Sequence, residues 1–319
     1  MSNTLVTVFG GTGFLGRHAV RALAKAGHRI RVAVRYPNKG IFLPPMGHVG
    51  QIALVKCDVR ETDQVESAAA GAEAIINLTG LLYQRGEQSF EAIHITAAET
   101  IAKAAKTSGA AALVHVSAIG ADKDAESSYA ASKGEGEARV RAAFPEATIL
   151  RPSIVFGPED DFFNRFAALA RVLPVLPLIG GGHTRFQPVF VGDVAAAILR
   201  CAEDPSLGGK IYELGGPATY SFKELLELIL RETGRKRLLV PVPFALATLQ
   251  AIFLQFAPKP LLTPDQVTLL KSDNIVTGAN GLTALGIAPT SVEAEVPAYL
   301  WRFRPKGQYD DLVRERVSA

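Results

Sequence analysis

The sequence predicts an α/β protein with a doubly wound parallel sheet, followed by a smaller, partly discontinuous C-terminal domain. Three observations in the first half predict this class. Short β-branched runs alternate with longer helical patterns, the predicted strands are nearly continuous in apolar residues, and the first strand leads into a glycine-rich turn. The length of 319 residues suits one large α/β unit with a smaller companion.

Six strands are predicted in the first half, at Leu5–Phe9, Ile30–Val34, Ile52–Lys56, Ala74–Leu78, Ala112–Ser117 and Thr148–Arg151. Helical patterns lie between them, at about 14–26, 61–70, 88–108 and 129–143. Parallel neighbouring strands need such crossover connections, and the crossovers cover both faces of the sheet. Coverage on both faces explains why these strands are apolar on both sides.

Beyond Pro152 the pattern is less regular, and prolines and glycines cluster at 174–188. The further predicted elements are a strand near Pro188–Val191, a helix from about Asp193 with that residue as N-cap, a strand at Ile211–Leu214, and a helix that Ser221 opens through a capping box with Glu224. We therefore assign 1–158, with 186–216 returning to it, to the first domain, and 159–185 together with 217–319 to the smaller domain.

Composition argues against several kinds of protein. A net charge of only +3 does not suggest a nucleic-acid partner. Cys57 and Cys201 lie in apolar segments, which is typical of small buried side chains and predicts neither a disulfide nor a metal site.

No targeting or membrane-spanning segment is expected. A strand already begins near residue 5, which leaves no room for a signal peptide. The longest apolar stretch, 238–257, is interrupted by Pro241 and Pro243, so no unbroken run reaches the length that spans a bilayer. These features predict a cytoplasmic protein.

The first strand ends in Gly10-Gly11-Thr12-Gly13-Phe14-Leu15-Gly16, with three glycines spaced G-x-x-G-x-x-G. A strand before and a helix after distinguish a dinucleotide site from a chance glycine repeat. A diphosphate must approach main-chain N–H groups at the helix N-terminus, and a Cβ there would keep it away. A Walker P-loop would need Lys and then Ser or Thr after Gly16, where the chain has Arg17-His18. The turn therefore predicts a Rossmann dinucleotide site.

The end of the second strand favours NADP(H) over NAD(H). An NAD site usually has an acid here that binds the ribose 2′-hydroxyl, whereas this strand ends in Arg35. Its guanidinium can bind a 2′-phosphate, with help from Lys39 and Arg17, although a solvated strand end is the alternative. After the third strand, Asp58 is either an acceptor for the adenine amino group or a plain turn residue.

Tyr129 and Lys133 form a Tyr-x-x-x-Lys pair on the predicted helix 129–143. A spacing of four puts both side chains on one helix face, where an ammonium would lower the phenol pKa toward a value useful for acid–base catalysis. Lys133 can also hold the nicotinamide ribose. Ser117, which ends the fifth strand, could orient a substrate carbonyl or hydroxyl. The alternative is an ordinary surface pair.

With these motifs the chain resembles the short-chain dehydrogenase/reductase superfamily, in its extended or atypical, epimerase/dehydratase-like branch. The resemblance rests on Gly10 to Gly16, Asp58-Val59, Asn77-Leu78-Thr79-Gly80, Ser117, Tyr129 with Lys133, Arg151 to Pro158, and Pro188 to Val194. It implies that the cofactor also contacts Val59, Leu78, Thr79 and Gly80, and that the nicotinamide lies against the turn after the sixth strand, at Pro152, Ile154 and Val155.

A narrower resemblance, to the NAD(P)H-binding accessory subunits of respiratory complex I, rests on His115 to Ala118, Ala143 to Ala147, Phe156 to Phe166 and Gln187 to Val191. It implies tightly held NADPH, with complex I or another membrane-associated assembly as the partner. The absence of a transit peptide suggests a bacterial relative. The resemblance also implies a peripheral position on the cytoplasmic face of the inner membrane.

Two features differ from active extended members of the superfamily. His94 stands where many of them have asparagine, and the segment between Ser117 and Tyr129 is short. Because Tyr129 and Lys133 are retained, an active NADPH-dependent reductase, dehydrogenase or epimerase stays open as the alternative. Its substrate would be a quinone, an isoprenoid or a sugar derivative.

Four basic residues precede the apolar stretch 238–257: Arg231, Arg235, Lys236 and Arg237. A basic cluster beside an apolar helix is typical of proteins that bind an anionic membrane surface. The alternative is a core or protein-interface helix with a solvated basic turn. The helix predicted over Phe244–Phe256 lacks a clean polar face, which favours protein contact over a lipid interface.

Overall fold

The computed structural model describes residues 4–257 and 260–307. The strands are β1 Leu5–Phe9, β2 Arg29–Val34, β3 Ile52–Lys56, β4 Ala74–Asn77, β5 Ala112–Val116, β6 Thr148–Pro152, β7 Val155–Phe156, β8 Val175–Ile179, β9 Arg185–Phe186, β10 Val189–Phe190, β11 Ile211–Leu214, β12 Tyr220–Ser221 and β13 Leu238–Val242. The end of the domain predicted for 217–319 lies outside the described residues.

The α-helices are α1 Phe14–Lys25, α2 Thr62–Ala69, α3 Ala97–Thr107, α4 Ser128–Ala143, α5 Phe163–Val172, α6 Val191–Glu203, α7 Phe222–Glu232, α8 Phe244–Leu254, α9 Pro264–Leu269, α10 Gly281–Ala284, α11 Val292–Glu295 and α12 Pro297–Leu300. A π-helical turn, Glu91–Thr96, leads directly into α3. The helix predicted at 88–108 is therefore two segments of different winding.

The chain forms two compact units. The first consists of the described residues up to Pro152, with Val191–Leu214 and Val276–Ala288. The second consists of Ser153–Phe190, Gly215–Ile275 and the described residues from Pro289 onward. The substrate or partner role that we assigned to the smaller domain stays a prediction.

A seven-stranded parallel sheet forms the centre of the first unit, in the order β11-β6-β5-β4-β1-β2-β3. Helices α1 and α6 pack together on one face, and α2, α3 and α4 on the other. The predicted doubly wound parallel fold is confirmed. Because β1 lies between β2 and β4, the strand order reverses at the carboxyl end of β1, which is where sheets of this kind bind ligands.

The apolar strands pack as the sequence pattern predicts. Every residue of β4 and β5 is buried, and Phe9, Ile75, Leu113 and Ile149 contribute to one core cluster on the sheet. Burial on both faces leaves no position along these strands for a side chain that needs water, so their sequences show no polar alternation.

One helix start was predicted wrongly. Helix α6 begins at Val191, so Asp193 is its third residue and is buried, and it does not act as the N-cap. The preceding strand β10 pairs with β7 over two residues only, and the chain turns into the helix immediately after them. Asp193 still lies in the first turn of the helix, where a carboxylate interacts favourably with the helix dipole.

The second unit contains three small two-stranded sheets, β10–β7, β12–β9 and β13–β8. Its core is a cluster of phenylalanine rings in edge-to-face and tilted contact, formed by Phe156, Phe162, Phe163, Phe166, Phe186 and Phe222. The predicted capping box at α7 is confirmed: Ser221 Oγ accepts the Glu224 N–H at 3.2 Å, and Glu224 accepts the Ser221 N–H at 2.7 Å.

The apolar stretch 238–257 divides into strand β13 and helix α8, with Pro243 as the N-cap of the helix. The helix ends at Leu254, two residues before the predicted end. Among the described residues, no helix is both long and apolar enough to cross a membrane.

Candidate functional site

The glycine turn between β1 and α1 is shaped by contacts that exclude side chains. Gly10 has φ +81°, and a Cβ on it would lie 2.8 Å from the carbonyl carbon and oxygen of Leu78. A Cβ on Gly16 would overlap the carbonyl oxygen of Gly10. The Gly13 N–H donates to that same oxygen at 3.1 Å. A side chain at either of the outer two positions would therefore force the main chain of this turn to move.

This turn presents the start of α1 in a form that suits an anion. Gly13 is the N-cap, it supplies no capping side chain, and the first helical turn holds no acidic residue. The first N–H groups of a helix have no partner within it, and the helix dipole makes this end favourable for negative charge. Thr12, Phe14 and Leu15 are partly buried in the same turn, so the segment fits a diphosphate.

Two cations predicted to bind the 2′-phosphate lie close to one aromatic ring at the end of β2. The Arg35 Cζ lies 5.0 Å and the Lys39 Nζ 5.1 Å from the centre of the Tyr36 ring. Gln88, with its amide oxygen turned toward Arg35, accepts a hydrogen bond from Nη2 at 2.6 Å and another from Nη1. Arg17 lies nearer the turn, where its Nε donates to the carbonyl oxygen of Gly13 at 3.4 Å.

Asp58, just after β3, is bound by an arginine that the sequence analysis did not single out. Arg60 donates from Nε to Asp58 Oδ1 at 3.0 Å and from Nη2 to Oδ2 at 2.8 Å, and from Nη1 to Glu87 at 2.7 Å. Hydrogen bonds from Arg60, with the nearby charge of Arg35, hold the pKa of Asp58 below its usual value. The available signal was a basic residue two positions after the acid.

The residues predicted at the end of β4 lie beside the glycine turn. The Leu78 N–H donates to the carbonyl oxygen of Phe9 at 2.9 Å, next to Gly10. Asn77 Oδ1 accepts hydrogen bonds from the Thr79 N–H at 3.0 Å and from its hydroxyl at 2.6 Å. The sheet topology therefore brings two separate predicted segments to one edge of the sheet.

The predicted nicotinamide contacts belong to different parts of the fold. Pro152 ends β6 in the first unit, where its carbonyl oxygen accepts the Ile119 N–H at 3.1 Å. In the second unit, the Ile154 N–H donates to Asn274 Oδ1 at 3.0 Å, and Val155 pairs with Val189.

Helix α4 carries Tyr129 and Lys133 and begins with a side-chain cap, because Ser127 Oγ accepts the Ala130 N–H at 3.3 Å. At Gly136 the helix lies directly against the carbonyl oxygen of His94, which a Cβ would strike. This close approach brings the π-helical turn and its histidine against the predicted catalytic face of α4.

Lys133 is buried, and its ammonium donates to the carbonyl oxygen of Val116 at 3.2 Å. Burial lowers the pKa of Lys133 to about 8. A Cβ on Gly80 would lie 3.4 Å from the Lys133 Nζ and 3.8 Å from the His94 Nε2, so both nitrogens face the loop after β4. The absence of a side chain at Gly80 leaves this space beside the ammonium.

The expected lowering of the Tyr129 pKa is wrong. Burial raises the pKa of Tyr129 to about 12, since a phenolate loses hydration there. The lysine charge that was expected to offset this effect is directed at a main-chain carbonyl. The Tyr129 ring packs edge-on against His94 and Phe90, with centroids 5.5 and 5.9 Å away. At neutral pH the hydroxyl is therefore protonated and can donate.

His94, which the sequence analysis treated only as a difference from active relatives, connects three parts of this site. Its Nε2 accepts the Leu81 N–H at 2.9 Å, and its Nδ1 lies 2.8 Å from Ser132 Oγ. Ser132 Oγ donates to the carbonyl oxygen of Tyr129 at 2.8 Å. These bonds assign the histidine proton to Nδ1. Burial and the charge of Lys133 lower the pKa of His94 to about 3, in agreement with a neutral ring.

A second buried histidine, His115 on β5, lies near the same lysine. Its Nδ1 accepts a hydrogen bond from Asn77 Nδ2 at 3.1 Å, which places its proton on Nε2. Burial, followed by the charge of Lys133, lowers the pKa of His115 to about 3.

Two buried polar atoms here, His115 Nε2 and Ser117 Oγ, have no hydrogen-bond partner within the described part of the chain. An unsatisfied buried polar group costs roughly 1–3 kcal/mol. Each such atom in a native fold calls for an explanation, and a catalytic or ligand-binding role is one.

The fold and this edge of the sheet define an NAD(P)-binding Rossmann protein with a tyrosine–lysine pair. Residues 6–215 match the model of the NAD dependent epimerase/dehydratase family. The chain belongs to this NAD dependent epimerase/dehydratase family.

Two curated proteins are similar to this chain over most of their length. The chain is 36% identical to NADH dehydrogenase (ubiquinone) 1 alpha subcomplex subunit 9, mitochondrial, of Arabidopsis thaliana, over 100% of this chain and 83% of that protein. It is 34% identical to a ceramide reductase of Caulobacter vibrioides, over 75% of this chain and 74% of that protein.

Among solved structures, the NADPH-dependent quinone oxidoreductase QOR2 of Escherichia coli, complexed with NADPH, has the same fold. It superposes with a TM-score of 0.74 at 19% identity, over 93% of this chain and 99% of that chain.

Proposed function

We propose that the protein binds NADP(H), with the diphosphate on the glycine turn and the 2′-phosphate at Arg35 and Lys39. The observation that carries this proposal is the uncapped start of α1 beside glycines that admit no Cβ. The proposed cofactor contacts are Gly10, Thr12, Gly13, Phe14, Leu15, Gly16, Arg35, Lys39, Asp58, Val59, Leu78, Thr79, Gly80, Lys133, Pro152, Ile154 and Val155.

Preference for the phosphorylated cofactor follows from charge. Strand β2 is followed by two cations close to the Tyr36 ring, and no acid stands at its end to accept a ribose 2′-hydroxyl. Arg60 donates hydrogen bonds to both carboxylate oxygens of Asp58. This positive charge lowers the electrostatic repulsion between Asp58 and a bound phosphate. NAD(H) has no 2′-phosphate, so these cations would add nothing to its affinity.

The proposed role is that of an accessory protein of the respiratory complex I type, in which tightly held NADP(H) is a structural group. Support comes from identity over the whole chain with mitochondrial NADH dehydrogenase subunits. A cofactor that binds only the folded state stabilises it by mass action. The associated localisation is peripheral, on the cytoplasmic face of the inner membrane.

A second candidate, an active NADPH-dependent reductase, is favoured by one specific observation. The buried Ser117 Oγ has no hydrogen-bond partner in the described chain, and Ser117 directly follows Val116, the last residue of β5, whose carbonyl oxygen Lys133 binds. Bound NADPH would supply the hydride to a carbonyl carbon. Ser117 would orient the carbonyl oxygen, and Tyr129 would donate its proton to that oxygen, giving an alcohol and NADP⁺. A phenol protonated at neutral pH suits this reductive direction.

Both roles can be tested by measuring the absorbance of reduced nicotinamide in the purified full chain. Cofactor that co-purifies and stays reduced when quinone, isoprenoid, ceramide-like or sugar carbonyls are added supports the structural role. Oxidation of NADPH by one of these substrates, abolished in Tyr129→Phe with NADPH affinity unchanged, establishes the reductase.

Tyr220→Phe is the matched control, since it removes a hydroxyl that binds Glu293 in the second unit. It should leave any turnover unchanged. Failure of the protein to bind either nicotinamide dinucleotide would contradict both roles.

A further inference from the structure

Helix α8 exposes its most apolar side chains. Leu246, Leu249, Ile252, Phe253 and the following Phe256 are all exposed, Phe253 to 71% and Phe256 to 80%. We refer to these five residues as the apolar face. From Phe244 to Ala257 the chain has no charged residue. In a water-exposed helix the arc opposite the core is normally polar, so this helix has the reverse arrangement.

The side of α8 that packs on the protein is made of smaller groups. Ala247 and Ala251 are buried against Ile179 and Val267, with Phe244 partly buried beside them. At 100° per residue these positions lie opposite the centre of the apolar face. The helix therefore presents large apolar side chains outward and packs alanines inward, and an exposed apolar surface of this kind is typical of an interaction site.

Positive charge lies at the other end of the strand that leads into α8. Arg237, just before β13, donates from Nε to the carbonyl oxygen of Ala170 at 2.8 Å, next to Arg171. Burial, with the charges of Arg237 and Arg171, lowers the pKa of Arg235. We refer to Arg171, Arg235 and Arg237 as the arginine cluster. Within the described residues, none of the three is ion-paired with a carboxylate.

Exposed apolar residues continue from the arginine cluster toward the helix. Val172 and Leu173 follow Arg171, and Leu238 and Val240 on β13 follow Arg237; all four are exposed. The second unit thus combines an uncharged apolar helix, exposed aliphatic side chains and arginines that have no carboxylate partner among the described residues. A bilayer with anionic headgroups matches this combination, because apolar side chains enter its interface while arginines meet phosphates.

We propose that the apolar face and the arginine cluster dock the second unit on an anionic lipid bilayer. The inference deepens the peripheral localisation proposed above by naming the surface and the lipid charge. A protein groove would need acidic groups to match three arginines that form no ion pair within the described part of the chain. Docking in this way requires no partner subunit, so the purified chain is sufficient to test it.

The test is co-sedimentation of the full chain, saturated with NADPH, with phosphatidylcholine vesicles that contain or lack phosphatidylglycerol. We expect binding to the anionic vesicles that weakens as salt is raised. Phe253→Glu should lower the partition coefficient at least about tenfold, since the aromatic side chain no longer enters the interface. Arg171→Gln should lower it about fivefold, and only for anionic vesicles.

Val49→Glu is the matched control, because it makes the same kind of change at a fully exposed apolar residue of the first unit. It should bind vesicles like the parent protein. NADPH affinity, measured on each variant, reports that the fold is intact. It also separates a failure of cofactor binding, which concerns the proposed function, from a failure of vesicle binding.

Equal binding to vesicles with and without phosphatidylglycerol would overturn the proposal, as would no binding to either. Self-association of the parent chain without vesicle binding, abolished in Phe253→Glu, would instead identify the apolar face as an interface between two copies.

Discussion

At the scale of single residues, hydrogen bonds fix the protonation of both buried histidines near Lys133. His94 carries its proton on Nδ1 and His115 on Nε2, because each ring accepts one hydrogen bond at its other nitrogen. A neutral pair adds no positive charge beside the Lys133 ammonium. Lys133 is therefore the principal cation in the part of the site where we propose that the nicotinamide binds.

Arg35→Ala should weaken NADPH binding about 10- to 100-fold, because a charge-assisted hydrogen bond to phosphate contributes roughly 1.5–3 kcal/mol. NADH affinity should change less than about twofold. Isothermal titration calorimetry with both cofactors measures the ratio. Arg29→Ala, at the opposite end of β2, is the control and should change neither affinity. Equal losses for the two cofactors would refute the 2′-phosphate assignment.

Arg60→Gln should also weaken NADPH binding more than NADH binding, by about fivefold at low salt. The variant leaves the Asp58 carboxylate without its guanidinium, and its negative charge then opposes a nearby phosphate. Adding Asp58→Asn should restore part of the lost affinity, since residues in direct contact couple in a double-mutant cycle. Purely additive losses would show that Arg60 acts independently of Asp58.

At the scale of elements, the site depends on close approaches between main chains. The glycine turn packs Gly16 on Gly10, and α4 packs Gly136 on the π-helical turn. Each approach moves a functional segment nearer to its neighbour than a side chain would allow. These glycines therefore set the positions of the proposed diphosphate site and of Tyr129 relative to His94.

Gly16→Ala should abolish measurable dinucleotide binding and destabilise the fold by about 1–3 kcal/mol, because the added methyl group forces main-chain movement in a tightly packed turn. Urea unfolding and cofactor titration measure the two effects. Gly278→Ala is the control, since a Cβ there meets open space, and its effect should stay within about 0.5 kcal/mol. Normal NADPH binding by Gly16→Ala would place the diphosphate elsewhere.

At the scale of the whole molecule, the neutral histidines make stability depend on pH. Their pKa values are about 3 in the folded protein and 6.5 ordinarily, so the unfolded chain binds protons first as the pH falls. Stability is therefore present above pH 6.5 and is lost from there toward pH 3. Each histidine contributes a slope of at most about 1.4 kcal/mol per pH unit.

His94→Asn should flatten the decline of the free energy of unfolding between pH 6.5 and pH 4, although it lowers stability at neutral pH. Urea denaturation at several pH values measures the slope. His48→Asn, which alters an exposed histidine of the same unit, is the control and should leave the slope unchanged. An unchanged slope in His94→Asn would mean that His94 is already charged in the folded protein.

Local pattern was sufficient for the features that depend on neighbouring residues. The apolar runs predicted β1 and β3 with their correct bounds, and the serine–glutamate spacing predicted the capping box of α7. Pattern failed at Asp193, because the helix start depends on where β10 stops pairing with β7.

By itself, the sequence determined the doubly wound sheet and the glycine turn, because continuous apolar runs and the spacing of glycines are visible within a few residues. Only the tertiary structure decided the protonation of His94 and Tyr129, the binding of Arg60 to Asp58 and Glu87, and the outward apolar face of α8. Apart from the contact between Arg60 and Asp58, which are two residues apart, those properties depend on burial and on partners distant in the chain. Desolvation and long-range hydrogen bonds leave no local periodicity in a sequence.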